Sequence, residues 1–95
     1  MFVRIARFEG DPSDADQAVA QVRERMKGER PPGLEGLNRV LMLVDRESGR
    51  GLGLTFFETQ DDLRRGDEAL NAMTPQGSSR RTSVETYEVG LDVEL

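Results

Sequence analysis

The chain has 95 residues, 36% hydrophobic and 33% charged, enough for one domain over residues 1–95 but not for two separate cores. It has no Cys and no His, which excludes disulfides, zinc–thiolate and iron–sulfur sites, thiol nucleophiles, imidazole metal ligation and a His general base. The formal net charge of −5, mixed along the chain rather than blocked, opposes binding to nucleic acid or to an anionic membrane.

Phe2 to Phe8 reads as a strand with Phe2, Arg4, Ala6 and Phe8 on one face and Val3, Ile5 and Arg7 on the other. Gly10-Asp11-Pro12-Ser13 turns into a helix, and Asp11, or Ser13 with Asp16, can cap its first amides. Ala15, Ala18, Val19, Val22 and Met26 then recur at helical spacing as one apolar stripe. Gly28 suits the stop, and Arg25 and Lys27 suit the negative end of the helix dipole.

Glu29 to Gly36, with Pro31-Pro32-Gly33, is a loop from which Leu34 can tuck under a sheet edge. Asn38 to Asp45 is the second strand. Its run Val40-Leu41-Met42-Leu43-Val44 is apolar at every position, the pattern of a strand covered on both faces. Glu47-Ser48-Gly49-Arg50 is a hairpin connection to a third strand, Leu52 to Glu58, in which Gly51 and Gly53 mark a bulge or a close backbone approach.

Thr59 caps a second helix that opens with Asp61 and Asp62, as the dipole prefers. Leu63, Gly66, Leu70 and Met73 form its apolar face with Ala69 beside them, and Pro75 and Gly77 end it. Gln76 to Thr82 reads as a polar loop carrying Arg80 and Arg81. Ser83 to Leu95 is the last and longest strand, with Tyr87, Val89, Leu91, Val93 and Leu95 sharing one face.

The order β-α-β-β-α-β predicts an α+β, ferredoxin-like sandwich: a four-stranded antiparallel sheet with two helices on one face. The other face inherits much of the apolar row Val40–Val44 and of the row Tyr87–Leu95, and water cannot be its intended neighbour. Two such sheets packed face to face close a barrel with helices outside, so the expected assembly is a homodimer. No apolar run approaches the ~20 residues of a membrane span, and Met1-Phe2-Val3-Arg4 lacks a basic stretch before an apolar core. A cytoplasmic location with no membrane partner is expected.

Three stretches carry a family resemblance: Met1-Phe2-Val3-Arg4-Ile5-Ala6-Arg7-Phe8, Arg39-Val40-Leu41-Met42-Leu43-Val44-Asp45, and Thr55-Phe56-Phe57-Glu58-Thr59-Gln60-Asp61-Asp62-Leu63. With the length and element order, they make the chain resemble the antibiotic biosynthesis monooxygenase-like (ABM) domains of the dimeric α/β-barrel group, over most of its length. The resemblance implies a homodimer with a ligand pocket in each subunit between sheet and helices. It also implies cofactor-independent oxygenase chemistry on aromatic substrates, or haem degradation. The haem-degrading branch uses a His ligand with an Asn and a Trp. This chain has neither His nor Trp, so that activity is not expected. The quinone-forming oxygenases use Asn, Trp and Tyr near the substrate. Asn38, Asn71 and Tyr87 are the residues available here, and no catalytic role is carried over to them.

Arg4, Arg7 and Tyr87 are the candidate ligand-binding residues. An arginine from the first strand could hold a carboxylate or an enolate in a cleft, and the Tyr87 hydroxyl could bond a substrate carbonyl or phenolate. The plain structural reading pairs both arginines with Glu85, Glu88, Asp92 or Glu94 on the last strand and puts the Tyr87 ring in the core or the dimer seam. Asn71 is expected to be exposed and Asn38 to serve a turn. Glu58 and Asp45, at strand ends, resemble surface acids. Asp61, Asp62, Asp67 and Glu68 fit caps and solvated charge better than a cation site, and Arg80-Arg81 could hold an anion. No metal and no cofactor are expected. The function expected is therefore binding of a hydrophobic, aromatic small molecule, with cofactor-independent monooxygenase activity. The alternative is a non-catalytic ligand-binding or assembly module of the same fold.

Overall fold

Strand β1 (Phe2–Glu9) is the spine of the sheet. In the computed structural model, which describes residues 1–74 and 79–95, it pairs antiparallel with β3 (Arg50–Phe57) on one side and β4 (Arg80–Glu88) on the other. Strand β2 (Leu37–Val44) adds to the far side of β3, giving the order β2-β3-β1-β4. Two helices, α1 (Ala15–Arg25) and α2 (Gln60–Asn71), make the two crossovers and lie on the same face. This is the expected ferredoxin-like sandwich.

Cross-strand register sorts the side chains into two sets. Phe2 sits opposite Phe57, Arg4 opposite Thr55 and Ala6 opposite Gly53 on the helix face. Ile5 opposite Leu54 and Arg7 opposite Leu52 belong to the open face. The split of Phe56 from Phe57 follows from the same period of two. Phe57 is fully buried with Leu34, Leu37 and Leu63 in the core. Full burial stabilises side chains of this size by about 1.5–3 kcal/mol each. Phe56 lies on the open face, under the Arg39 guanidinium at 5.8 Å from the ring centroid.

The helices pack differently. Gly66 brings α2 directly onto Phe57, since a Cβ at that position would overlap the phenyl ring. Leu63 and Gly66 are buried, and Thr59 caps the helix by accepting from Asp62 N. Helix α1 has no buried residue. Its entry is a short 3-10 turn, Pro12–Asp14, capped by Asp11 through Ser13 N. The Ser13–Asp16 alternative does not form, because the Ser13 hydroxyl donates to Asp11 instead. Helix α1 ends at Arg25, two residues ahead of Lys27, and Gly28 follows with φ of 74°.

Several expected boundaries move. Strand β3 starts at Arg50 rather than Leu52, since the hairpin is closed by Asp45 N donating to Arg50 O at 2.8 Å. Gly49, at φ 80°, makes that turn against Gly10. Helix α2 ends at Asn71; the stop signals Pro75 and Gly77 lie outside the described residues. Strand β4 covers Arg80–Glu88 instead of 83–95. Its start is earlier because Arg80 and Arg81 find Glu9 and Phe8 opposite them, and its end is earlier because β1 runs out. Val89 N donates to Met1 O, and the sheet has no further rung to offer. Leu91 is then 82% exposed. Strand β2 is an edge strand of the sheet, and in the single chain its Leu43 is 49% exposed.

Candidate functional site

Between α1 and the sheet lies a cavity of about 200 Å3. Small residues on the sheet make its room. Ala6, Gly53 and Met42 face each other across three strands, so two of the three positions contribute almost no side-chain volume. Ala18, Val22 and Met26 of the α1 stripe form the roof, and Leu70 and Met73 close the side toward α2. The walls are mainly hydrocarbon and thioether, a surface that favours an apolar guest.

Arg4 is set into this apolar wall and is only 3% exposed. Its Nε donates to Asp67 Oδ1 at 2.8 Å and its Nη2 to Asn71 Oδ1 at 2.8 Å. Asp67 and Asn71 are one helical turn apart on α2, so a single face of the helix presents both acceptors. The remaining nitrogen, Nη1, has no acceptor among the described residues. The acids proposed for Arg4 on the last strand are not its partners. Arg4 faces the helices, and the first carboxylate within reach is on α2.

Arg81 also lines the cavity. Its Nη1 donates to the carbonyls of Leu70 at 3.1 Å and Met73 at 3.3 Å, and its Nη2 to that of Asn71 at 3.1 Å. The last carbonyls of a helix have no intrahelical donor, and a cation there meets the negative end of the dipole. Arg25, from α1, reaches the same end of α2, with Nη1 3.9 Å from Met73 Sδ.

Arg7 and Tyr87 lie on the opposite, open face. Arg7 Nε donates to Glu85 Oε1 at 3.3 Å, and the Tyr87 hydroxyl donates to Glu85 Oε2. The Tyr87 hydroxyl, with Arg7 behind it, holds the Glu85 carboxyl below the usual glutamate range. The same hydrogen bond and the Glu85 charge push the phenol up. The structure thus brings Arg7 and Tyr87 together and separates both from Arg4.

The remaining candidates have structural employment. Asp45 accepts from Glu47 N and Ser48 N and holds the hairpin, which lowers its carboxyl. Asp61 pairs with Arg64 and Asp62 with Arg65. Asn38 occupies the register break of β2 between Leu37 and Arg39, not a turn. Arg80 pairs with Glu9, away from Arg81. Sequence reasoning missed Arg25 and Asp67 as site neighbours. Asn71 is exposed as expected, yet it is a partner of Arg4. The i, i+4 spacing of Asp67 and Asn71 was the available signal, but nothing local ties it to Arg4.

No protein-family model and no curated protein sequence matches the chain. Solved structures do. MhuD, the haem degrader of Mycobacterium tuberculosis with two haems bound in its active site, superposes with a TM-score of 0.66 at 17% identity, over 99% of this chain and 100% of that one. A single-site variant of MhuD with two manganese protoporphyrin IX per active site gives 0.68 at 15% identity, over 99% of both chains. A Deinococcus radiodurans protein classed by name with antibiotic biosynthesis monooxygenases gives 0.59 at 12% identity, over 100% of this chain and 98% of that one. At these identities the likeness establishes the fold alone, one shared with these haem-degrader and monooxygenase-named structures. No helix among the described residues is long and apolar enough to cross a membrane.

Proposed function

We propose that the chain is a cytoplasmic homodimer that binds a hydrophobic, aromatic small molecule in the cavity under α1 and oxidises it without a cofactor. The observation that carries this reading is an apolar cavity with the buried Arg4 set into its wall, its Nη1 without an acceptor among the described residues. The fold neighbours support it in kind, since MhuD holds porphyrins in its active site. A cavity of about 200 Å3 is below the about 300–1,000 Å3 usual for drug-sized ligands, so the ligand here is smaller than a porphyrin.

A hydroxyanthrone illustrates the chemistry. Loss of a proton from its ring methylene gives an enolate, whose electrons reduce O2 directly. One oxygen atom remains on carbon as a ketone and the other leaves as water, so CH2 becomes C=O with the loss of two hydrogens. Arg4 Nη1 is the group to stabilise the enolate oxygen, since a nearby positive charge favours the ionised form. Arg7 and Tyr87 serve the seam between the two copies, where Glu85 joins them.

Oxygen uptake by the pure protein with a panel of hydroxyanthrones tests the reading. Uptake that falls at least ten-fold in Arg4→Gln is expected; a flat trace across the panel refutes the activity. The second reading, a non-catalytic binding or assembly module, draws on the pairing of Arg4 with Asp67 and of Arg7 with Glu85. It predicts ligand binding without oxygen uptake.

A further inference from the structure

We infer that the ligand of this cavity carries an acidic head group, a carboxylate or an ionised phenol, held between Arg25 and Arg81 beside Met73. The inference rests on the reading that the cavity binds an apolar ligand, and it names the class. The chain has 18 acidic and 13 basic residues, yet Arg4, Arg25 and Arg81 line the cavity and, among the described residues, no Asp or Glu does. An acidic protein has concentrated positive charge on this apolar hollow under the helices.

Local pairing sharpens the contrast. Arg7, Arg46, Arg50, Arg64, Arg65 and Arg80 each have a carboxylate within salt-bridge distance. Arg4 has Asp67. Of the arginines with no carboxylate among the described residues, Arg25 and Arg81 are the two on the cavity wall. Among the described residues, the one hydrogen-bond partner of Arg25 is the Met73 thioether, a weak acceptor. Arg81 meets three carbonyls. Those dipoles fix its plane but leave its full charge in place. The two guanidinium groups flank the same residue, one at its sulfur and one at its carbonyl oxygen.

A planar oxyanion is the natural guest for such a pair, because a guanidinium binds it with two parallel, charge-assisted hydrogen bonds. Thr74 and Ser79, which also line the cavity, add hydroxyl donors. The ring body then lies against Ala6, Val22, Met42 and Leu70. Arg81 is half-buried and Arg25 exposed, so water and salt screen part of the attraction.

Calorimetric titration with 2-naphthoate and its neutral isostere 2-naphthamide tests this. At least ten-fold tighter binding of the acid is expected, with the advantage shrinking as salt is raised. In Arg25→Gln the preference should fall several-fold while amide affinity holds, and Arg25→Lys, which keeps the charge but not the paired hydrogen bonds, should fall between the parent and Arg25→Gln. Arg25 is exposed and makes one weak hydrogen bond among the described residues, so these variants should keep the fold; an unchanged thermal midpoint checks that. Equal binding of acid and amide overturns the acidic head group and leaves the apolar-ligand reading standing. Binding of neither compound overturns both.

Discussion

The two helices cross the same sheet face and do opposite things there. Helix α2 is driven down by Gly66 onto the ring of Phe57 and buries Leu63 beside it. Helix α1 carries an apolar stripe of its own, Ala15-Ala18-Val19-Val22, yet buries none of it fully. The cause lies on the sheet. Under α2 stands Phe57; under α1 stand Ala6 and Gly53. A large side chain against a glycine makes a core, and small side chains against a stripe leave a cavity.

Substitutions can break this contrast, and the largest effect should come from the closed side. Gly66→Leu forces a branched side chain into the Phe57 ring and should cost more than about 3 kcal/mol in urea unfolding. Ala18→Leu adds the same kind of bulk over the cavity. It should change stability by less than about 1 kcal/mol while weakening 2-naphthoate binding at least ten-fold. Equal destabilisation by both variants would erase the distinction between the two helices.

A smaller loss is expected where the two sides meet. Asp67→Ala leaves the Arg4 charge buried without its carboxylate. Asp67 is 34% exposed on its side chain, so water screens part of the cost, and about 1–2 kcal/mol should be lost. The double variant Arg4→Met with Asp67→Leu should recover most of that in chemical denaturation, because it removes both charges.

On the open face, Leu54→Arg places a charge in the proposed seam. Light scattering should then give the 10.6 kDa chain mass for the variant and twice that for the parent. The smallest effect concerns Tyr87. Glu85 is held below its ordinary range, so its contribution is complete above the unfolded glutamate range and fades as pH falls through the folded value. Tyr87→Phe removes the larger cause, and an NMR titration of the Glu85 carboxyl should move upward toward the ordinary range.

What the sequence made legible was local. The two faces of β1, the split of Phe56 from Phe57, the Thr59 cap and the Leu63–Gly66 stripe follow from periods of 2 and 3.6 and from capping chemistry. The end of β4 was not legible, because Val89–Leu95 alternates like a strand and only the length of β1 decides where pairing stops. The partner of Arg4 was hidden for the same kind of reason: Asp67 is 63 residues away, and register alone aims the arginine at the helices. Arg81 looked like half of a loop pair until β4 took it into the sheet and turned Arg80 the other way.

Methionine methyl groups report on the cavity directly. Met26, Met42 and Met73 line it, while Met1 does not. Labelling the four methionine methyls and adding 2-naphthoate should shift three resonances and leave Met1 still. Three unmoved cavity signals under conditions where the ligand binds, or movement of Met1 alone, would contradict a binding site beneath α1.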